Sequence, residues 1–327
     1  MEPQKDHLKN YVSYPQQMVD ENIDLRELLG ALWKGKWVII VMMLVFTVSG
    51  AFYAFNLPDI YKSDVLLSPT ENSNGGGLSK IAGQLGGLAA LAGVNLGGGE
   101  SSQTDLAVQV MKSRDFIGKF IDEHNLLVPL VAAKGWDMTN NKLIFDEELY
   151  NPATAKWLRK AKGLRGITPT SQEAYQIFIK ESFSINQDKD SGLYTVSIKH
   201  YSPYIAQQWV NWLVEDINKV MRERTIKETS QNLTYLNTQL QKTAVADMQS
   251  TFYKLIEDQT KSLMLAEVQE EFIFKVVDPA IVPELKVGPK RTLICLLSVV
   301  LGGVLGAVVV VVRLAFRKEN DESSELC

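Results

Sequence analysis

The stretches WVIIVMMLVFTVSGAFYAF at 37–55 and TLICLLSVVLGGVLGAVVVVV at 292–312 decide how this chain is organised. Neither contains a charged residue. Each runs for about the 20 apolar residues that an α-helix needs to cross a hydrocarbon core. A chain pinned at two such points presents everything between them on one side of the bilayer and both flanks on the other. The expected layout is a tail at 1–36, a transmembrane helix at 37–56, an extramembrane domain at 57–291, a second transmembrane helix at 292–312 and a tail at 313–327. The first stretch reads as a retained anchor, because its apolar core exceeds the roughly 7–15 residues of a cleaved leader. Asp20, Glu21, Asp24 and Glu27 precede it, unlike a short basic leader. Cleavage near Ser49-Gly50-Ala51 is the competing reading.

Charge sets the expected orientation only through the length of the intervening domain. Arg26, Lys34, Lys36, Arg313, Arg317 and Lys318 flank the spans on the tail side. Lys62, Lys275, Lys286, Lys290 and Arg291 flank them on the domain side. The positive-inside rule counts short loops, and long domains translocate largely regardless of charge. Both tails are therefore expected in the cytoplasm, with the domain outside. Trp33 and Trp37 on one side, and Tyr53 and Tyr61 on the other, suit the aromatic belts of a bilayer.

Composition narrows the function. A formal net charge of −4 disfavours a nucleic-acid binder, which needs a basic face. The two cysteines are Cys295, inside the second span, and Cys327. The large domain thus has no disulfide, no thiol nucleophile and no cysteine-ligated metal. A bacterial periplasm, where disulfides are permitted but not required, suits such a domain.

Along the chain, residues 1–22 are polar and aperiodic. The run Ile23-Asp24-Leu25-Arg26-Glu27-Leu28-Leu29 has apolar residues at helical spacing and is expected to lie in the membrane interface. Tyr61, Val65 and Leu67 alternate as one face of a strand. The glycine-rich run at 75–99 carries Leu78, Ile81, Leu85, Leu88, Leu91 and Val94 at helical spacing. It reads equally as a marginal helix or a loop, because each helical glycine costs about 1 kcal/mol. Its Gly-Gly-Gly-Leu-Ser-Lys lacks the spacing of a phosphate-binding loop. Residues 103–125 have Leu106, Val110, Ile117, Phe120 and Ile121 on one helical face. Thr170-Ser171-Gln172-Glu173 is a capping box opening a helix to about Lys180. The segments at 183–186 and 194–200 alternate as a β-hairpin, with 187–192 as the turn.

From Pro203 to about 271 no further proline and no glycine interrupts the chain. Trp209, Leu213, Ile217 and Val220 form one apolar stripe, and Leu233, Leu236 and Leu240 a second. Met248, Phe252, Leu255 and Leu263 form a third. A single helix of that length would extend about 105 Å. A hairpin turning near 238–250 is preferred, because the strand-like 272–277 has to rejoin the other strands. Such stripes are suited to coiled-coil packing against a neighbour. The expected fold is α+β, with two transmembrane helices flanking an α/β base and a helical hairpin or coiled-coil projection at about 203–271.

Catalytic signals are sparse. His124 and His200 are far apart, and neither a GxSxG elbow nor an HExxH pair occurs. Asp188-Lys189-Asp190 matches a metal-binding DxD, yet the turn before Gly192 accounts for aspartates there. No cofactor or metal is expected. The more telling pattern is Pro279, Pro283 and Gly288-Pro289-Lys290, followed by Ser298, Gly302, Gly303 and Gly306. Proline fixes φ and removes a donor, giving a stiff, extended entry into the span. Ser298, Gly302 and Gly306 share a helix face, where small residues admit a close helix neighbour in lipid.

These pieces together resemble the Wzz-type chain-length determinants, the polysaccharide co-polymerases of Gram-negative inner membranes. The resemblance is carried by Ile23 to Leu29 leading through Trp33 and Lys36-Trp37, by the glycine-rich run, by Met111-Lys112-Ser113-Arg114, and by the proline and glycine pattern ending at Gly306. It covers about residues 22–318. It implies a non-enzymatic regulator that assembles into rings with helical arms in the periplasm. Such regulators set how many repeat units a membrane polymerase adds to a lipid-linked polysaccharide, commonly lipopolysaccharide O-antigen. The short tail after Val312 lacks tyrosine, as expected of the kinase-free branch. A capsule or exopolysaccharide export component with a separate kinase is the nearer alternative, and a two-span sensor or a glycosyltransferase the more distant ones.

Overall fold

The computed structural model describes residue 30 and residues 32–70 and 103–325, with side chains as far as 313. The interfacial reading of 23–29 and both readings of 75–99 lie outside the described residues. In chain order the elements are α1 (Lys36–Asn56), β1 (Ile60–Pro69), α2 (Gln103–Met111), α3 (Arg114–Glu123), α4 (Leu127–Val131), β2 (Ala133–Asp137) and β3 (Lys142–Phe145). There follow β4 (Tyr150–Asn151), β5 (Lys156–Trp157), α5 (Ser171–Ile177), a π-helical turn (Phe178–Ser182), β6 (Phe183–Gln187) and β7 (Tyr194–His200). The chain continues through α6 (Pro203–Lys242), α7 (Ala246–Val268), β8 (Phe274–Asp278), β9 (Lys286–Gly288) and α8 (Arg291–Glu325). It divides into two compact units, the helices α1 and α8 in one and Leu57–Lys290 in the other.

The second unit is built on an antiparallel sheet of order β6-β7-β1-β8, with β9 also on β1. Strand β1 is its centre. Along one edge Tyr61 to Leu67 pair with His200 to Tyr194. Along the other, β9 takes Ile60 and Tyr61, and β8 takes Leu66 to Pro69. The alternation in the sequence places Tyr61, Val65 and Leu67 on the buried face, together with Val196 and Ile198. Against that face pack Trp209, Leu213 and Ile217 of α6, with Phe116, Phe120 and Phe178 completing the core. Removing such side chains from water supplies roughly 1.5–3 kcal/mol each.

Three local outcomes differ from the sequence pattern. The periodic run at 103–125 is two helices, because Ser113 leaves helical geometry and its hydroxyl accepts the Phe116 N–H at 3.2 Å. Ala107 and Met111, rather than the exposed Leu106, then face the core. The helix from the Thr170 capping box ends at Ile177, and a π-helical turn carries the chain into β6. Finally, β9 follows the prolines as a strand that its three residues, Lys286–Gly288, are too few to announce.

The arm is a hairpin, as the need to return demands. Pro203 opens α6 at a position where its missing N–H costs nothing. Helix α6 ends at Lys242, and Thr243 and Val245 adopt extended backbone. Both are β-branched, which suits them to that conformation. The Thr243 hydroxyl donates to Gln239 O at 3.0 Å, and Gln249 Nε2 donates to Thr243 O at 2.8 Å, so the turn needs no glycine. Helix α7 then packs back along α6.

Candidate functional site

The glycine face of α8 meets α1. A Cβ at Gly302 would stand 2.9 Å from Phe46 Cβ, 3.0 Å from Met43 Cα and 3.1 Å from Met42 O. At Gly306 it would stand 2.9 Å from Ile39 Cα, and at Gly303 2.6 Å from Met43 Cε. The approach is mutual, since a Cβ at Gly50 of α1 would overlap the Ser298 side chain. Ser298 keeps its hydroxyl satisfied on Ile294 O at 2.9 Å. Ser298, Gly302 and Gly306 recur at one turn each, opposite Ile39, Met42, Met43, Phe46 and Gly50. Without a hydrophobic driving force between helices in lipid, this backbone proximity is what gives the pair its dispersion energy. The close helix neighbour that the small residues admit is the chain's own first apolar helix.

The proline stretch is held against the sheet by side chains from elsewhere. Ser63 donates to Ile281 O at 2.8 Å, and Gln207 of α6 donates to Ala280 O at 2.8 Å. Pro279 is exposed, Pro283 and Pro289 are half-buried, and Lys290 is exposed. Just upstream, the buried Asn218 does what no sequence pattern announced. Its Oδ1 accepts the N–H groups of Ile273 and Phe274, both at 2.9 Å, and its Nδ2 donates to Phe274 O at 3.0 Å. One side chain thereby replaces a strand partner and fixes where β8 begins. A polar residue on the buried face of a helix was the available signal.

The arm stripe divides in two. Trp209, Leu213 and Ile217 lie in the chain's own core, at 2 %, 0 % and 0 % exposure, so they are withdrawn from any neighbour. Val220 packs half-buried against that core. Leu233, Leu236 and Leu240, beyond the base, are half-buried on the hairpin. Helical periodicity located the stripe but not what covers each part of it.

The residues weighed for catalysis have structural work. His200 is buried beside Trp209; its Nε2–H donates to Pro129 O and its Nδ1 accepts the Ser202 N–H, both at 3.1 Å. Burial pushes its pKa down from 6.5 to about 4, so the ring is neutral. His124 stacks on Trp212 with ring centres 4.3 Å apart, and its Nε2 lies 2.9 Å from Asp216 Oδ2. Asp188 accepts from Asp190 N and Ser191 Oγ, and these bonds, the Ser191 hydroxyl first, hold its carboxyl below the usual range. It closes the β6–β7 turn, with Gly192 at φ +72°. Glu173 serves the capping box and also receives Arg159 at 2.6 Å, whose hydrogen bond leads in lowering its pKa. Among the described residues, no three His, Cys, Asp or Glu side chains cluster to hold a metal ion.

The chain thus combines two paired apolar helices, each long enough to cross a bilayer, with a unit built of a sheet and a hairpin arm. Residues 21–124 match the family described as Wzz, chain length determinant protein, and residues 233–315 match the G-rich domain on putative tyrosine kinase. The chain therefore carries a Wzz chain-length-determinant domain, and with the second match it is similar to the polysaccharide co-polymerases. No curated protein matches it in sequence. Among solved structures it is similar to a full-length bacterial polysaccharide co-polymerase, at 16 % identity over 91 % of this chain and 99 % of that one, TM-score 0.38. It is also similar to a fragment of WzzB, the polysaccharide co-polymerase from Salmonella Typhimurium, at 13 % identity over 71 % of this chain and 100 % of that one, TM-score 0.30.

Proposed function

We propose that this protein is a non-enzymatic regulator of lipopolysaccharide O-antigen modal length, working as a homo-oligomer beside the membrane polymerase and its lipid-linked polysaccharide. It sits in a bacterial inner membrane, with both termini in the cytoplasm and the sheet unit and arm in the periplasm. The chain-length-determinant match at 21–124, on a chain with two paired spans, is the observation that supports this reading. The regulator works by shape and company. Leu233, Leu236 and Leu240, with the exposed Tyr235 and Tyr253, supply contacts between arms, and polymer length follows how long the growing chain stays engaged by the assembly. The test is a gel of surface polysaccharide from cells with and without the protein. Clustered lengths should become random on its loss, and an unchanged ladder refutes the proposal.

A second reading has its own support. The match at 233–315 is to a domain found on putative tyrosine kinases, which favours capsule or exopolysaccharide export with a separate kinase partner. The same deletion separates the two, because the glycan that changes is then capsule and the O-antigen ladder stays intact.

A further inference from the structure

Leu285 is 83 % exposed, Ile281 71 % and Val287 45 %, three apolar side chains on the segment just before α8. Strand β9 fixes where this run lies. Gly288 pairs with Ile60 and Lys286 with Tyr61, so Leu285 and Val287 sit at the N-terminal end of β1. Ile60 follows Asn56, the last residue of α1, by four positions, and Gly288 precedes Arg291, the first of α8, by three. An extended chain covers at most ~3.6 Å per residue, so both points lie within about 15 Å of a span terminus. The covalent chain alone keeps them within reach of the headgroup layer. Ile281 is held further along β1 by Ser63, and Val277 further still, beside the Leu66 and Leu67 end. At about 3.4 Å per strand residue, that end is roughly 20 Å from Ile60.

We infer that Leu285 and Val287 enter the lipid interface and rest the base of the sheet on the bilayer. The inference rests on reading α1 and α8 as membrane spans. The polar neighbours suit an interfacial seat. Lys286, between the two apolar side chains, holds Asp59 with its ammonium at 3.0 Å, and the exposed Lys290 can extend its stem toward phosphates. Exposed Glu284 marks the water side. Apolar residues of interfacial segments sit about 5–10 Å into the headgroup and acyl boundary. Leu285, in the bend before β9, and Val287, within it, hold this end of β1 at the interface.

The test uses the full chain in phosphatidylethanolamine–phosphatidylglycerol vesicles, with Cys295→Ala and Cys327→Ser removing native thiols. Single cysteines replace Leu285, Val287, Ile281, Val277, Lys189 in the β6–β7 turn, and Leu297 on the exposed face of α8, each carrying an environment-sensitive fluorophore. A lipid with a nitroxide near its headgroup should quench 285 and 287 at least about threefold more than 277 and 189, with 281 between. Labels at 285 shielded from both the lipid nitroxide and aqueous iodide show a second copy of the chain covering this run, which overturns the inference. So does quenching by iodide alone at 285 and 287 while 297 is quenched by lipid. If 297 escapes lipid quenching, the span reading itself falls, and the inference with it.

Discussion

Gly302→Leu should force the two spans apart, and the structure sets the scale. An ordinary carbon contact is about 3.5–4.0 Å, whereas a Cβ at 302 would find Phe46 Cβ at 2.9 Å, Met43 Cα at 3.0 Å and Met42 O at 3.1 Å. Two of those three atoms belong to the backbone of α1, so no rotamer change clears them. The helices must separate by about 0.5–1 Å for the Cβ alone, and by more for the rest of the leucine. Overpacking of this kind costs about 1–3 kcal/mol, and the backbone obstruction places this case toward the upper end. A loss of about 2 kcal/mol shifts a closed-to-open ratio roughly thirtyfold. The assay is the dipolar broadening between nitroxides on Val41→Cys of α1 and Leu305→Cys of α8, both on exposed positions, in a background with Cys295→Ala and Cys327→Ser. Adding Gly302→Leu should weaken the broadening as the helices move apart. Val304→Leu, on the 57 % exposed face of the same helix, should leave it unchanged. Equal broadening in the two variants would refute the steric reasoning. If the span pair transmits to length control, the same Gly302→Leu protein also broadens the polysaccharide length distribution.

Asn218→Ala should lower stability by about 3 kcal/mol or more, since it strands two buried N–H groups and a carbonyl at the start of β8; thermal unfolding reads the loss. His200 makes stability depend on pH. Its folded pKa lies below its unfolded value, so its contribution is complete above about pH 6.5 and declines as pH falls toward 4, by up to about 3 kcal/mol. Chemical denaturation across that window should show the slope, and His200→Phe should flatten it. Asp188→Ala together with Asp190→Ala should speed amide exchange in the β6–β7 turn while leaving polysaccharide output intact; loss of sugar transfer with assembly preserved would instead point to a metal-dependent enzyme.

Periodicity and punctuation settled much of this protein. Two uncharged apolar runs named the two long apolar helices, the alternation from Tyr61 to Leu67 named the buried face of β1, and Thr170 with Glu173 named a helix start. Each is a local rule, because a repeat of 3.6 or 2 residues puts side chains on one face whatever lies opposite. The proline-free run after Pro203 also demanded a hairpin, since a strand downstream had to come home. What lies opposite a face is a separate matter. Trp209 and Leu240 share one helical pattern, yet the first is sealed under the sheet and the second rides on the arm. Gly302 was visibly a contact point, but only packing revealed that Met43 and Phe46 of the same chain fill it. Asn218 binds residues more than fifty positions away, a distance at which no spacing rule operates. Sequence alone determined which faces must be covered; tertiary structure chose the cover, because burial free energy depends on apolar area removed from water and not on which partner removes it.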